Sequence, residues 1–239
     1  MISPEKHHGF VIHHTPLTSS RHIVHLFTAE SGVRKGILRV GRKQPSAYLA
    51  PLNHLEFQLK GKEHQNLKSL EQISLRGHAY DLSSGYMGLA LLHHWSFLIH
   101  KSQPEGHPDP HVFRLLEHML ATLRRDEPVA HLPHRNLYFE IWLLHFCGVL
   151  ARHPGCVAHA LNEIEAAPAR DAAIWTPEDD LYPERVFQQR IEPFLEFALK
   201  WGALTRLNRA LGTLWEHFLA MALKTREALV KQFSERRLL

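Results

Sequence analysis

The residues of this chain best suited to chemistry are cations. Arg34, Lys35, Arg39, Arg42 and Lys43 put five positive charges into ten residues, with no acid among them. Such a surface is what a polyanion backbone seeks, although the same charges could also blunt an exposed strand edge. Recognisable catalytic patterns are missing. Ser83-Ser84-Gly85 is not the nucleophile elbow G-x-S-x-G, and neither a P-loop nor a dinucleotide fingerprint occurs. His107-x-Asp109-x-His111 has the best metal-like spacing, but it sits in a polar loop broken by glycine and proline. The 21 histidines are otherwise scattered. His13-His14, adjacent on a strand, would point to opposite faces and could not easily share an ion. No catalytic residue, metal or cofactor is expected.

The elements that position the cations are legible upstream. Ile23–Phe27 and Gly36–Val40 are apolar runs flanking the turn signal Glu30-Ser31-Gly32, which predicts a β-hairpin with the cations on its second strand and exit loop. Alternation on a regular strand turns Arg34 and Arg42 away from Lys35 and Arg39. Residues 8–14 read as a short strand broken by Thr15-Pro16. Leu55–Lys60 alternates apolar and polar, and Leu67–Leu75 is a strand or a helical turn. Five short strands in this length suit a small closed barrel. From about Gly77 the period becomes helical. Helices are expected through Leu98, over Val112–Leu123, Leu137–Leu150 and Glu184–Lys200 (bent near Pro193), and over Leu204–Phe218 and Leu223–Phe233. Residues 165–183 read as irregular, with Asp179-Asp180 a solvated turn. The expected class is α+β, a barrel over 1–78 followed by a helical domain over 79–239.

Composition agrees with this partition. Residues 1–80 hold eleven Lys and Arg against five acids, and the remainder hold 17 against 19. The basic surface therefore lies at the front. A hydrophobic fraction of 44% and a charged fraction of 22% fit a globular chain. No apolar run is long enough for a membrane span, and the first ten residues lack a signal-peptide core. With two cysteines only, Cys147 and Cys156, a reducing cytoplasm is expected.

The ordered motifs resemble a known family. GFVIHHTPLTSSRHIVHLFTAESG, the basic strand and the loop Leu49-Ala50-Pro51-Leu52 are similar to the N-terminal OB-fold of the bacterial recombination mediator RecO. Phe139-Glu140-Ile141-Trp142-Leu143-Leu144 with Gly148 resembles that family's Phe-Glu-x-x-Leu-Leu-x-x-x-Gly helix, and Leu223-Lys224-Thr225-Arg226-Glu227 resembles its C-terminal Leu-Lys-Ser-Arg-Glu box. The chain departs from the family at Val40, where many members have glycine, and at Ala220, which replaces a glycine before the last box. Many members bind zinc through two Cys-x-x-Cys pairs. Here Cys156-Val157-Ala158-His159 is the remnant of the first pair, and half of a four-ligand site cannot hold a structural zinc.

The resemblance implies a non-enzymatic, cytoplasmic, monomeric protein of recombinational repair. It would bind single- and double-stranded DNA, anneal complementary strands, and act with RecR to load RecA on DNA coated by single-stranded-DNA-binding protein (SSB). On this reading Arg34, Lys35, Arg39, Arg42 and Lys43 contact phosphates. Lys60 and Lys62 border the same groove, and Tyr48 stacks on a base. Lys224 and Arg226 are further candidates for DNA, and Arg206 and Arg209 would rim a pocket for the acidic SSB tail. Two other readings are a histidine-rich metal-dependent hydrolase using His107 and His111, and a protein-only adaptor built on an OB-fold.

Overall fold

A computed structural model describes residues 6–41, 46–61, 67–79, 85–123, 128–164, 177–195, 201–236 and 238. The chain divides into two compact units, one ending at Arg114 and the other beginning at Leu115.

In the first unit, strands β1 (Lys6–Thr18), β2 (Arg21–Thr28), β3 (Gly32–Arg39), β4 (His54–Lys60) and β5 (Lys68–Gly77) close into a barrel in the order β1-β2-β3-β5-β4. Among these described strands β3 and β5 are the pair that runs parallel, over Gly36 and Ile37. This is an OB-like barrel, as expected, and Leu67–Leu75 resolves as its fifth strand. Alternation fills the interior with Val11, Val24, Leu26, Leu38, Leu55, Phe57 and Leu70, and Leu49 caps them from a 3-10 turn at Ser46–Leu49. Helix α1 (Gly85–Ser102) is secured to β1 where the buried Ser96 Oγ donates to the Ile12 carbonyl at 2.6 Å.

The central hairpin pairs Thr28 with Gly32 and Arg21 with Arg39. Gly32 has φ +64°, and a Cβ there would lie 2.1 Å from the His107 carbonyl oxygen, so only glycine fits. Thr28 Oγ1 donates to the Gly32 carbonyl and accepts from the Ser31 amide, closing the turn.

β1 does not stop at Thr15-Pro16. Thr15 pairs with Ile23 and Pro16 with His22. β4 pairs β1 only through Lys6–Phe10, so beyond that point one edge of β1 needs no ladder donor and tolerates proline. A register shift between Val11 and His13 marks the departure.

The second unit, with the shared helix α2 (Pro110–Thr122) entering it, contains α3 (Leu132–Phe146), α4 (Cys156–Glu163), α5 (Pro177–Gln188), α6 (Ile191–Leu195), α7 (Trp201–Leu219) and α8 (Lys224–Glu235). α3 is buried on almost every side, from Leu137, Tyr138 and Phe139 to Leu143 and Leu144. It starts earlier than the apolar pattern suggests, because Pro133 sits in the first turn, where its missing N–H costs nothing. The helix expected over Glu184–Lys200 is two pieces. α5 already begins at Pro177, inside the stretch read as irregular, and the chain breaks at Gln189-Arg190 rather than bending at Pro193. Residues 165–176 and 196–200 of those expectations lie outside the described residues, as does Leu82. Asp179 is no solvated turn. It is 1% exposed within α5 and accepts two bonds from Arg206, at 2.7 and 2.8 Å.

Two of the sequence motifs meet inside this unit. Glu140 on α3 is fully buried, and Arg226 on α8 is 6% exposed. The guanidinium grips the carboxylate through three contacts of 3.0 to 3.1 Å, and Asn136 Nδ2 donates to Glu140 Oε1 at 2.7 Å. Arg226 also reaches Asn208 Oδ1 on α7. A Cβ on Gly212 would lie 2.9 Å from Arg226 Nη1, so that glycine keeps room for the guanidinium. A bidentate, doubly supported pair of this kind satisfies charges that would otherwise be costly to bury.

Candidate nucleic-acid interface

The hairpin register sorts the cations by face. Residues paired across an antiparallel ladder point the same way. Arg34 pairs with Leu26, a core residue, so it shares the inward face at one end of the barrel. Lys35 pairs with His25, Ile37 with Ile23, and Arg39 with Arg21 on the outward face. Lys35 and Arg39 therefore lie together and Arg34 apart, as alternation requires.

Arg39 and Arg21 are both exposed and directly opposed, and no described acid is paired with either side chain. Two like charges facing one another on a ladder destabilise it. Arg21 escaped the reading of the sequence as a cluster, yet the signal was present. Folding the hairpin about Glu30 sets residue 21 opposite residue 39.

The other candidates differ in their commitments. Lys35 Nζ lies 2.5 Å from Glu105 Oε2, on the segment after α1 that bridges to Val33. Lys60 is exposed and 3.2 Å from Glu71. Tyr48 is half-buried against the barrel core, which leaves only part of its ring for stacking. Lys224 is exposed at the start of α8. Arg226 corrects an expectation, because its guanidinium is occupied by Glu140 inside the second unit and is not available to a phosphate. Arg206 is likewise engaged by Asp179, while Arg209, one turn away, is exposed. Arg42, Lys43 and Lys62 lie outside the described residues.

The metal-like motifs resolve into structure. Asp109 Oδ1 accepts from the amides of His111 and Val112, so this carboxylate caps α2, with Pro110 in the first position. His107 Nδ1 lies 2.9 Å from the Glu105 carbonyl. Cys156 opens α4 after Gly155 and is 2% exposed, and burial pushes its thiol up to about 11. Among the described residues, no three His, Cys, Asp or Glu side chains are arranged to hold a metal ion. No helix among them is long and apolar enough to cross a membrane.

Fold and surface together define an OB-like barrel protein with a basic outer face and a helical second part. Two family models account for the chain: recombination protein O N terminal over residues 1–78, and recombination protein O C terminal over residues 86–227. The chain belongs to the RecO family. It is similar to the DNA repair protein RecO of Koribacter versatilis, with 27% identity over 153 residues, 62% of this chain and 61% of that protein. It is also similar to the DNA repair protein RecO of Gluconacetobacter diazotrophicus, with 29% identity over 123 residues, 51% of this chain and 48% of the relative. The matched region thus spans about half to three fifths of these curated relatives.

Proposed function

We propose that this protein is a DNA repair and recombination mediator with no chemistry of its own. It binds single- and double-stranded DNA through the outward face of β2 and β3, and it brings complementary strands together. The observation that carries this is the exposed Arg21–Arg39 pair, on the same face of the hairpin as Lys35. Two guanidiniums held opposite one another weaken the apo ladder, and a phosphate between them relieves the repulsion. Family membership supports the wider reading. The protein works in the cytoplasm as a monomer, joins RecR, engages the acidic SSB tail with its helical part, and helps RecA onto SSB-coated single strands. Arg34, Arg42, Lys43, Lys60, Lys62 and Lys224 supplement the central contacts, and the exposed Arg209 lies at the rim of the tail pocket.

The experiment is annealing of complementary labelled oligonucleotides, bare and SSB-coated. This reading predicts acceleration in both cases and loss of most of it in Arg21→Ala/Arg39→Ala. Acceleration untouched by those substitutions would refute the assignment of the face. The metal-dependent hydrolase finds no support in the geometry, since Asp109 is committed to a helix cap.

A further inference from the structure

The abundance of histidine acquires a use in the first unit. His13 of β1, His25 of β2 and His100 of α1 come together on the outer surface of the barrel. Ring centroids of His13 and His100 are 4.4 Å apart and nearly parallel, those of His25 and His100 are 4.8 Å apart, and those of His13 and His25 are 5.3 Å apart. His13 is exposed, and the other two are half-buried. The charged and titratable groups facing them are Lys35 from β3, Lys101 and His93 from α1, and Glu105 from the segment after α1. Glu105 is the one carboxylate among these described neighbours, and it is bonded to Lys35. His100 Nδ1 is buried without a hydrogen-bond partner.

The register ties this cluster to the basic face. His25 is directly opposite Lys35, and four residues further along the same strands Arg21 is opposite Arg39. At about 3.3 Å per residue the two groups are about 13 Å apart on one face, a span that several phosphates of one strand would follow.

We propose that His13, His25 and His100, with Lys35 and Lys101, form a proton-dependent phosphate site that extends the DNA-binding face as pH falls. This inference rests on the DNA-binding reading of that face. Desolvation first, then the neighbouring cations and rings, holds His25 and His100 down to about 4 and lowers His13. Without an anion the cluster is therefore neutral near pH 7. A phosphate laid across Lys35 and Lys101 reverses the local field and favours the imidazolium forms. Binding then takes up protons, and linkage requires affinity to rise as pH drops. On protonation His13 and His100 change from a stacked neutral pair, with His25 edge-on to both, to charge-assisted donors.

The test is fluorescence anisotropy of labelled oligo(dT) at constant ionic strength, from about pH 7.5 to about pH 5.5, a window that brackets the ordinary histidine range. Uptake of about half a proton per site gives a tenfold rise in affinity across about two pH units. His13→Gln and His100→Gln should each cut that rise to about threefold or less. His13 is exposed, so its variant decides the matter even if His100→Gln fails to fold. Variants that keep the full rise would overturn the proposal while leaving the DNA reading intact. If the unsubstituted protein bound no DNA at any pH, the DNA reading itself would fall, and this inference with it.

Discussion

Removing Arg226 tests how the helical unit is held together. Arg226→Ala strips the fully buried Glu140 carboxylate of its guanidinium and takes the Arg226 donor from Asn208 Oδ1. Breaking a buried pair in this way costs about 3–5 kcal/mol, because the surviving charge is stranded. In a unit of this size about 4 kcal/mol corresponds to a fall in melting temperature of about 15 °C. Substituting both partners should restore most of the loss. Glu140→Met/Arg226→Met replaces an ion pair with apolar volume, and the remaining deficit of about 2 kcal/mol belongs to Asn136 and Asn208. Calorimetry and urea unfolding measure both variants. The folded double variant should also keep the parent's salt dependence of DNA binding, since Arg226 touches no phosphate on this account. The reasoning fails if Arg226→Ala melts within about 1 kcal/mol of the parent, or if the double variant binds DNA with a shallower salt slope.

Three further outcomes are expected. Arg21→Thr should stabilise the barrel by a few tenths of a kcal/mol to about 1 kcal/mol while making the salt slope of single-strand binding shallower by about 0.7 per lost phosphate contact; a variant that is less stable and binds as before would contradict the opposed-charge argument. Ala220 adopts φ +51° at the end of α7, where Met221 N bonds to the Glu216 carbonyl, so Ala220→Gly should raise stability by about 1 kcal/mol in chemical unfolding; a destabilised variant would show that the left-handed residue is not strained. In the barrel unit, burial lowers His25, His54 and His100 to about 4. The folded state thus binds fewer protons than the unfolded chain, and stability held above about pH 6.5 declines as pH falls toward about 4; a urea midpoint flat across that window would refute it.

Much of the barrel was legible because its signals are local. Glu30-Ser31-Gly32 marks the hairpin, and Leu55–Lys60 alternates cleanly. Pro16 misled because strand-breaking depends on whether an N–H is needed, and that is set by how far β4 extends along β1. The start of α5 was hidden by Asp179, which reads as solvated until Arg206 is found beside it. Arg226 misled for the same reason, since its partner lies 86 residues away and nothing local distinguishes a buried guanidinium from an exposed one. Within the interface, Lys35 and Arg39 were readable from charge density, and Arg21 only from the register. The histidine cluster was invisible in sequence because α1 supplies its third ring.

The central claim is that the outward face of β2 and β3 reads a phosphate backbone. The most direct measurement is the association constant for a labelled single strand across a salt series, with the parent protein and Arg21→Ala/Arg39→Ala side by side. The account predicts a steep linear fall of log K with log salt, and a slope shallower by about 1.4 in the variant, about 0.7 for each of two phosphates. Equal slopes and equal affinities for the two proteins would contradict it.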